Sequence, residues 1–447
     1  MEKDRFISSN LSTILKRNAI GSLIIKGIGF LLNIAIIPVS LNFVGDEVYG
    51  IWITLFSIIT WFTLFDGGFG NSLRNRLAVN LAKGEIEVAT GYVTTSYVAL
   101  GTIMIVLLFT FFIVNNFLSW DEILNTRALS SQSLASVTLV LFSFFAVNMM
   151  LGNITFIMLA DQKTAMSGAI RVLSNLITLG ILFILQGKVD GSLMLLVLAV
   201  VIPNSFVLLL FTVILFWNRY KPIRPRIGMY NKRLLKDLWS LGAAFFVIQI
   251  SYIILFTTDN LIITRLFNPS EVTPYNIAYR YFNSVVMVFG LLTSPLWSAI
   301  TAAYANKNFY WIRKVINKSL ILFGMFSLCV IVMLIFSDEI IYFWLGRDLK
   351  IDFWLRFMMA LYSVVYMFNA IFIYFLNGTG KIRLQLIYSI VAGVVNIPLS
   401  IILAKYTSLG VTGVIAATLT LQVLATLWIP YQYYLIINGK GKGIWLK

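Results

Sequence analysis

Histidine is absent from this chain, and cysteine occurs once, at Cys329. The first absence rules out imidazole acid–base chemistry and histidine metal ligation. The second rules out an internal disulfide or a thiolate metal cluster. Charge is scarce too: Asp, Glu, Lys and Arg make up 12% of the 447 residues, about half of the ~25% that coats a soluble domain. No Gly-x-Ser-x-Gly elbow and no phosphate-cradling Gly-x-x-x-x-Gly-Lys loop occurs, so neither motif supplies a basis for an enzyme. An enzyme is not expected.

What the chain has is apolar surface, with 59% hydrophobic residues and a mean hydropathy of +0.89. A sequence that cannot coat itself with charge must have the bilayer as its solvent. A spanning helix needs about 20 mainly apolar residues. Segments of that kind fall near 19–43, 49–65, 88–114, 134–160, 165–185 and 192–217, then 239–266, 275–299, 318–337, 353–377, 382–404 and 411–437. The runs are continuous rather than alternating, which excludes a membrane β-barrel. The expected fold is therefore an all-α polytopic membrane protein of about twelve transmembrane helices. Residues 1–217 and 239–447 would each form a six-helix bundle, with 218–238 as a basic linker.

Of the 34 Lys and Arg, 24 are assigned to one alternating set of inter-span segments and 7 to the other, Arg265 and Arg280 near span ends among them; Lys26, Arg171 and Arg356 also lie within spans. Cytoplasmic loops carry the Lys/Arg excess, so both termini are expected in the cytoplasm, in a bacterial plasma (inner) membrane. The same rule explains the formal charge of +16 without nucleic acid as a partner. Residues 1–18 read as a charged amphipathic lead lying along the interface. The densest basic stretch, 218–237, can anchor topology or meet anionic lipid headgroups. A faint internal echo joins the halves. Gly-Asp-Glu-Val-Tyr-Gly-Ile-Trp (45–52) is answered by Asn-Pro-Ser-Glu-Val-Thr-Pro-Tyr-Asn-Ile-Ala (268–278), and the stretches 71–89 and 298–314 both read as cytoplasmic helices with a Lys near their end.

The block from Gly45 to Glu85 contains Asp66, Gly67, Gly68, Phe69, Gly70, Asn71 and Arg74. It resembles the Asp-x-Gly-x-Gly turn and cytoplasmic helix of bacterial lipid-linked oligosaccharide flippases of Wzx type. These belong to the multidrug/oligosaccharidyl-lipid/polysaccharide (MOP) exporter superfamily. The resemblance implies two six-helix bundles in a V. It also implies a cargo, an undecaprenyl-pyrophosphate-linked glycan carried from the cytoplasmic to the outer leaflet for surface polysaccharide such as O-antigen. Membrane lipids and other polysaccharide-assembly membrane proteins are the implied partners. Read from the residues alone, Asp66 could cap the helix that follows. Gly68 and Gly70 permit a sharp exit from the bilayer. Arg74 and Arg76 do not share a helix face. Asp66, Gly68, Gly70 and Arg74 are the candidate cytoplasmic turn or gate.

Charges inside spans need a partner or water, because each costs at least ~2.5–3.5 kcal/mol at membrane depth. Lys26, Arg171 and Arg280 are the candidate cavity cations for a pyrophosphate head, snorkelling to the interface being the alternative. For Arg356 snorkelling is the expectation. Asp259 would either hold Arg280 by a salt bridge or take a coupling cation, Na+ or H+; no bound cofactor or metal is expected. Asn and Gln at membrane depth (Asn33, Asn148, Asn153, Asn175, Gln249, Asn260, Asn283, Asn369, Asn396) would glue helices or meet sugar hydroxyls. A multidrug exporter of the same superfamily is the competing reading, weakened by only 18 acids in the chain. A membrane polymerase or transferase is the third.

Overall fold

The computed structural model describes residues 2–66, 68–161, 163–239, 258–293, 296–305 and 307–446. Among the described residues the chain is helical, with no strand. It divides into two compact units, Met1–Ile250 and Ser251–Lys447. Ten described helices are long and apolar enough to cross a membrane. Of the eighth expected span, 275–299, residues 275–293 are helical, within Pro269–Thr293; most of the seventh, 239–266, lies outside the described residues.

Among the described residues the first unit holds α1 (Glu2–Val44), α2 (Asp46–Trp61), α3 (Phe69–Lys83), α4 (Ile86–Asn115), the single turn α5 (Trp120–Ile123), α6 (Ser131–Leu151), α7 (Asn153–Ala160), α8 (Thr164–Leu185) and α9 (Leu193–Trp217), followed by helical residues 232–239. The charged lead and the first span are not separate pieces: α1 runs unbroken for 43 residues, about 65 Å at 1.5 Å per residue. Asp46 and Glu47 open α2, where carboxylates favour the helix dipole. Its core gathers Leu73 and Leu77 of α3, Val93 of α4, Ile154 and Ile157 of α7 and Val207 of α9. Large apolar side chains also face outward, such as Ile105, Phe109 and Phe112 of α4. That outward stripe suits a lipid solvent.

The same core takes in Tyr220, Ile223 and Leu238. The basic stretch 218–238 is therefore packed as a strap onto the first unit. Three threonines of α4 bind its backbone: Thr90 Oγ1 donates to Pro222 O at 3.3 Å, Thr94 Oγ1 accepts from Arg226 N at 3.0 Å and Thr95 Oγ1 accepts from Asn231 N at 3.2 Å. Burial of its apolar residues, invisible in a count of its charges, holds it there.

The second unit holds α10 (Pro269–Thr293), α11 (Leu296–Ala305), α12 (Phe309–Ile335), α13 (Ser337–Leu345), α14 (Phe353–Thr379), α15 (Arg383–Tyr406) and α16 (Thr412–Ile437), preceded by helical residues 258–266. Asp352 caps α14, its Oδ2 accepting from Trp354 N at 2.9 Å and Leu355 N at 3.3 Å. Ile321, Met325, Leu328 and Val332 stand exposed along one face of α12, the spacing of a lipid-facing stripe. The two stretches expected as helices with a Lys near the end differ: α3 ends on Lys83, whereas 298–314 is shared between α11, which stops at Ala305, and α12, which starts at Phe309 and carries Lys314.

Candidate functional site

The first unit's α1 and α8 pack side by side in the same direction. A methyl added at Gly21 would meet Ala165, one at Gly168 would lie 2.9 Å from Ile25 Cγ2, and one at Gly29 would meet Val172. Low numbers thus face low numbers. Successive helix residues step by about 100°. Lys26 follows Ile25 by one such step, and Arg171 precedes Val172 by one. In two parallel right-handed helices that face each other, a forward step on one and a backward step on the other point to the same side. Lys26 and Arg171 therefore share one flank of the pair, about 3 Å apart along the axes.

That flank is the polar one. Ser167, Ser174, Asn175 and Thr178 fall within one-sixth of a turn of Arg171 on α8, and Asn33 lies below Lys26 two turns along α1. Ile24, Ile28 and Leu31 of α1 and Leu173 and Leu176 of α8 are exposed on other sides. Lys26 and Arg171 are both exposed, and neither pairs with a carboxylate among the described residues. Asn33 is spent on its own helix, its Nδ2 donating to Gly29 O at 2.9 Å. Asn175 Nδ2 is buried without a partner.

At the turn before α3, Gly68 has φ +75°, the left-handed region that costs other residues ~1–2 kcal/mol. Asp66 is buried, and its Oδ1 accepts from Gly70 N at 3.3 Å, capping the start of α3. Gly70 sits against a ring: a methyl there would fall 2.1 Å from Phe156 Cε2. Two residues apart, the arginines diverge. Arg74 is exposed, while Arg76 Nη2 reaches Asp237 Oδ1 at 2.5 Å. Tyr92 Oη donates to Asp237 Oδ2 at 2.7 Å. At the strap's other end Arg219 Nε donates to Asp161 Oδ2 at 2.7 Å. This hydrogen bond holds the guanidinium above its ordinary pKa.

In the second unit the expected Asp259–Arg280 salt bridge does not form. Asp259 Oδ2 accepts instead from Tyr275 Oη at 2.6 Å. Arg280, five residues on, stands about 7 Å further along α10, half-buried. Asp259 Oδ1 is buried with no partner. It borders a chamber of about 50 Å³ lined by Asp259, Asn260, Tyr275, Asn276, Tyr279, Tyr362, Ile415 and Thr418. Asn276 Nδ2 donates to Asn260 Oδ1 at 2.7 Å. Among the described residues no three His, Cys, Asp or Glu gather for a metal. Arg356 does not snorkel: it is buried, with Nη1 2.5 Å from Asp338 Oδ1 and 2.8 Å from Ser337 Oγ. The intra-membrane amides mostly join helices, as where Asn148 Oδ1 accepts from Ser205 and Asn396 Nδ2 donates to Thr418.

Tyr275, Asp237 and Ser337 were not legible as partners, because each bond closes between separate helices. Asp237 carried one signal, as the sole acid in 218–238.

The polysaccharide biosynthesis protein family matches residues 15–301, more than half of the chain. The chain belongs to that family. The MatE family matches residues 244–402. Among curated relatives of this family member, a Yersinia pseudotuberculosis protein named "Putative O-antigen export protein" is 23% identical over 78% of this chain and 79% of its own. A Salmonella typhimurium protein named "Putative O-antigen transporter" is 21% identical over 94% of this chain and 97% of its own. Among solved structures, the inward-facing conformation of a multidrug resistance MATE family transporter of the MOP superfamily superposes with a TM-score of 0.78, at 15% identity over 95% of this chain and 100% of the other. The outward-facing conformation of such a transporter gives 0.64 at 16% identity, over 96% of each chain. At such identities the likeness is one of fold. The resemblance drawn from residues 45–85 thus stands at the level of family and fold: this polysaccharide biosynthesis family member is a multi-pass membrane protein with the fold of the MATE structures.

Proposed function

We propose that the chain is a flippase that carries an undecaprenyl-pyrophosphate-linked glycan from the cytoplasmic to the outer leaflet of the bacterial inner membrane, by alternating access between two six-helix bundles. The reading rests on Lys26 and Arg171, two cations without acid partners on one polar flank at membrane depth. Each costs at least ~2.5–3.5 kcal/mol there unless water or an anion meets it. A pyrophosphate head carries the charge and acceptor oxygens that such donors match. Within the second unit Arg280 is a further candidate anion donor, and the turn at Asp66, Gly68, Gly70 and Arg74 would act as the cytoplasmic gate. The names of the curated relatives point to the same class of cargo, and other polysaccharide-assembly proteins would be its neighbours in the membrane.

The Asp259 chamber supports coupling to a monovalent cation or a proton. One carboxylate oxygen without a donor, among neutral oxygens, matches a single positive charge. It also keeps the multidrug exporter in view, since a buried acid suits a cationic drug.

The test is a bacterial strain lacking its own oligosaccharide flippase. Expression of this chain should restore glycan display on the outer leaflet without raising resistance to cationic drugs. Drug resistance without restored display would select the exporter instead.

A further inference from the structure

The strap at 218–238 presents a surface that the proposed cargo site does not use. Its single acid, Asp237, is occupied by Arg76 and Tyr92. Lys221, Arg224, Arg226, Lys232, Arg233 and Lys236 are exposed, and none pairs with a carboxylate among the described residues. The nearest exposed acids on the helices beneath are Glu85 and Glu87, at the start of α4, so the surface stays strongly positive. Its backbone is fixed by Thr90, Thr94 and Thr95, and Gly91 lets Leu234 close onto α4, where a methyl would lie 2.8 Å from Leu234 Cδ1. Held this way, the cations stay in place.

Height along the membrane decides what they meet. The 30 residues of α4 extend about 45 Å, roughly 15 Å more than the hydrocarbon core. With the Asn115 end level with the core's far edge, residues 86–95 project beyond the near edge. Those are the residues that bind the strap, so it lies at headgroup level. Exposed tryptophans bracket it: Trp217, 74% exposed, where α9 ends, and Trp239, 57% exposed, at the other side. Indoles favour that depth. Between them Ile227 projects at 88% exposure, an apolar tip amid cations, the composition of a membrane-surface contact.

We infer that the strap is a docking surface for anionic phospholipid headgroups, phosphatidylglycerol-like, which collects them beside the first unit. This rests on the cytoplasmic placement of the loop but not on the identity of the cargo.

The full chain, reconstituted in vesicles as Ile227→Cys on a Cys329→Ser background and labelled with a fluorophore, tests this. Quenching by headgroup-spin-labelled phosphatidylglycerol should exceed quenching by the matched phosphatidylcholine at equal mole fraction. The excess should shrink at high salt. Arg224→Gln/Arg226→Gln/Lys232→Gln should cut the preference at least tenfold, since each surface cation contributes about fivefold. Arg224→Lys/Arg226→Lys/Lys232→Arg should keep it. Equal quenching by the two lipids overturns the inference. So does a preference shown only for undecaprenyl pyrophosphate, which would make the strap part of the cargo site. Either result leaves the flippase assay free to succeed or fail on its own.

Discussion

Ile25 of α1 closes directly over Gly168 of α8, with no room for a side chain at Gly168: a methyl there would lie 2.9 Å from Ile25 Cγ2. This contact sets the rotation of the two helices and so places Lys26 and Arg171 on one flank. Gly168→Val should force the pair apart, costing about 1–3 kcal/mol as overpacking does. Transport should fall even though no charge has changed. Thermal unfolding in detergent and flipping rate, measured together, check this.

Gly70 should tolerate even less, because its missing side chain is filled by the Phe156 ring. Gly70→Ala is expected to destabilise the first unit by about 1–3 kcal/mol. Adding Phe156→Leu should return most of the loss. No recovery in the double variant would mean that the glycine serves the turn's motion rather than its packing.

Asp237→Asn removes one charge from a pair that is partly open to solvent, with side chains 40% and 31% exposed. The cost should be modest, about 1 kcal/mol. Its signature should be local: faster proteolysis within 224–230, with the rest of the unit unchanged.

In the second unit, Asp259→Asn preserves shape and deletes the charge that borders the small chamber. If the chamber takes a coupling cation, the variant's transport should no longer respond to an imposed Na+ or pH gradient. Folding, followed by melting temperature, should persist. A full gradient response in the variant assigns the coupling elsewhere.

Much of this was legible in the sequence. Scarce charge and long apolar runs set the class of fold, the Asp66 cap followed from Asp-Gly-Gly ahead of a helix, and residues 45–85 carried the family. Charge counts could not show that 218–238 packs as a strap, because Tyr220, Ile223 and Leu238 are buried by contacts with α3, α4 and α9 that sequence order does not reveal. Two opposite charges expected within spans suggested an Asp259–Arg280 pair, yet the Tyr275 hydroxyl holds the carboxylate. Arg356 looked free to snorkel from its helix start, but Asp338 and Ser337 at the start of α13 hold it inside. In each case the deciding partner lies on another helix.

The central claim is that Lys26 and Arg171 hold the cargo's phosphates during translocation. Proteoliposomes loaded with undecaprenyl-pyrophosphate-linked oligosaccharide measure it most directly, through the rate at which the glycan becomes accessible on the opposite leaflet. Lys26→Gln/Arg171→Gln should slow that rate at least tenfold, a barrier increase of about 1.4 kcal/mol or more. Lys26→Arg/Arg171→Lys should keep most of it. Equal rates for the neutral variant and the parent chain would contradict the account.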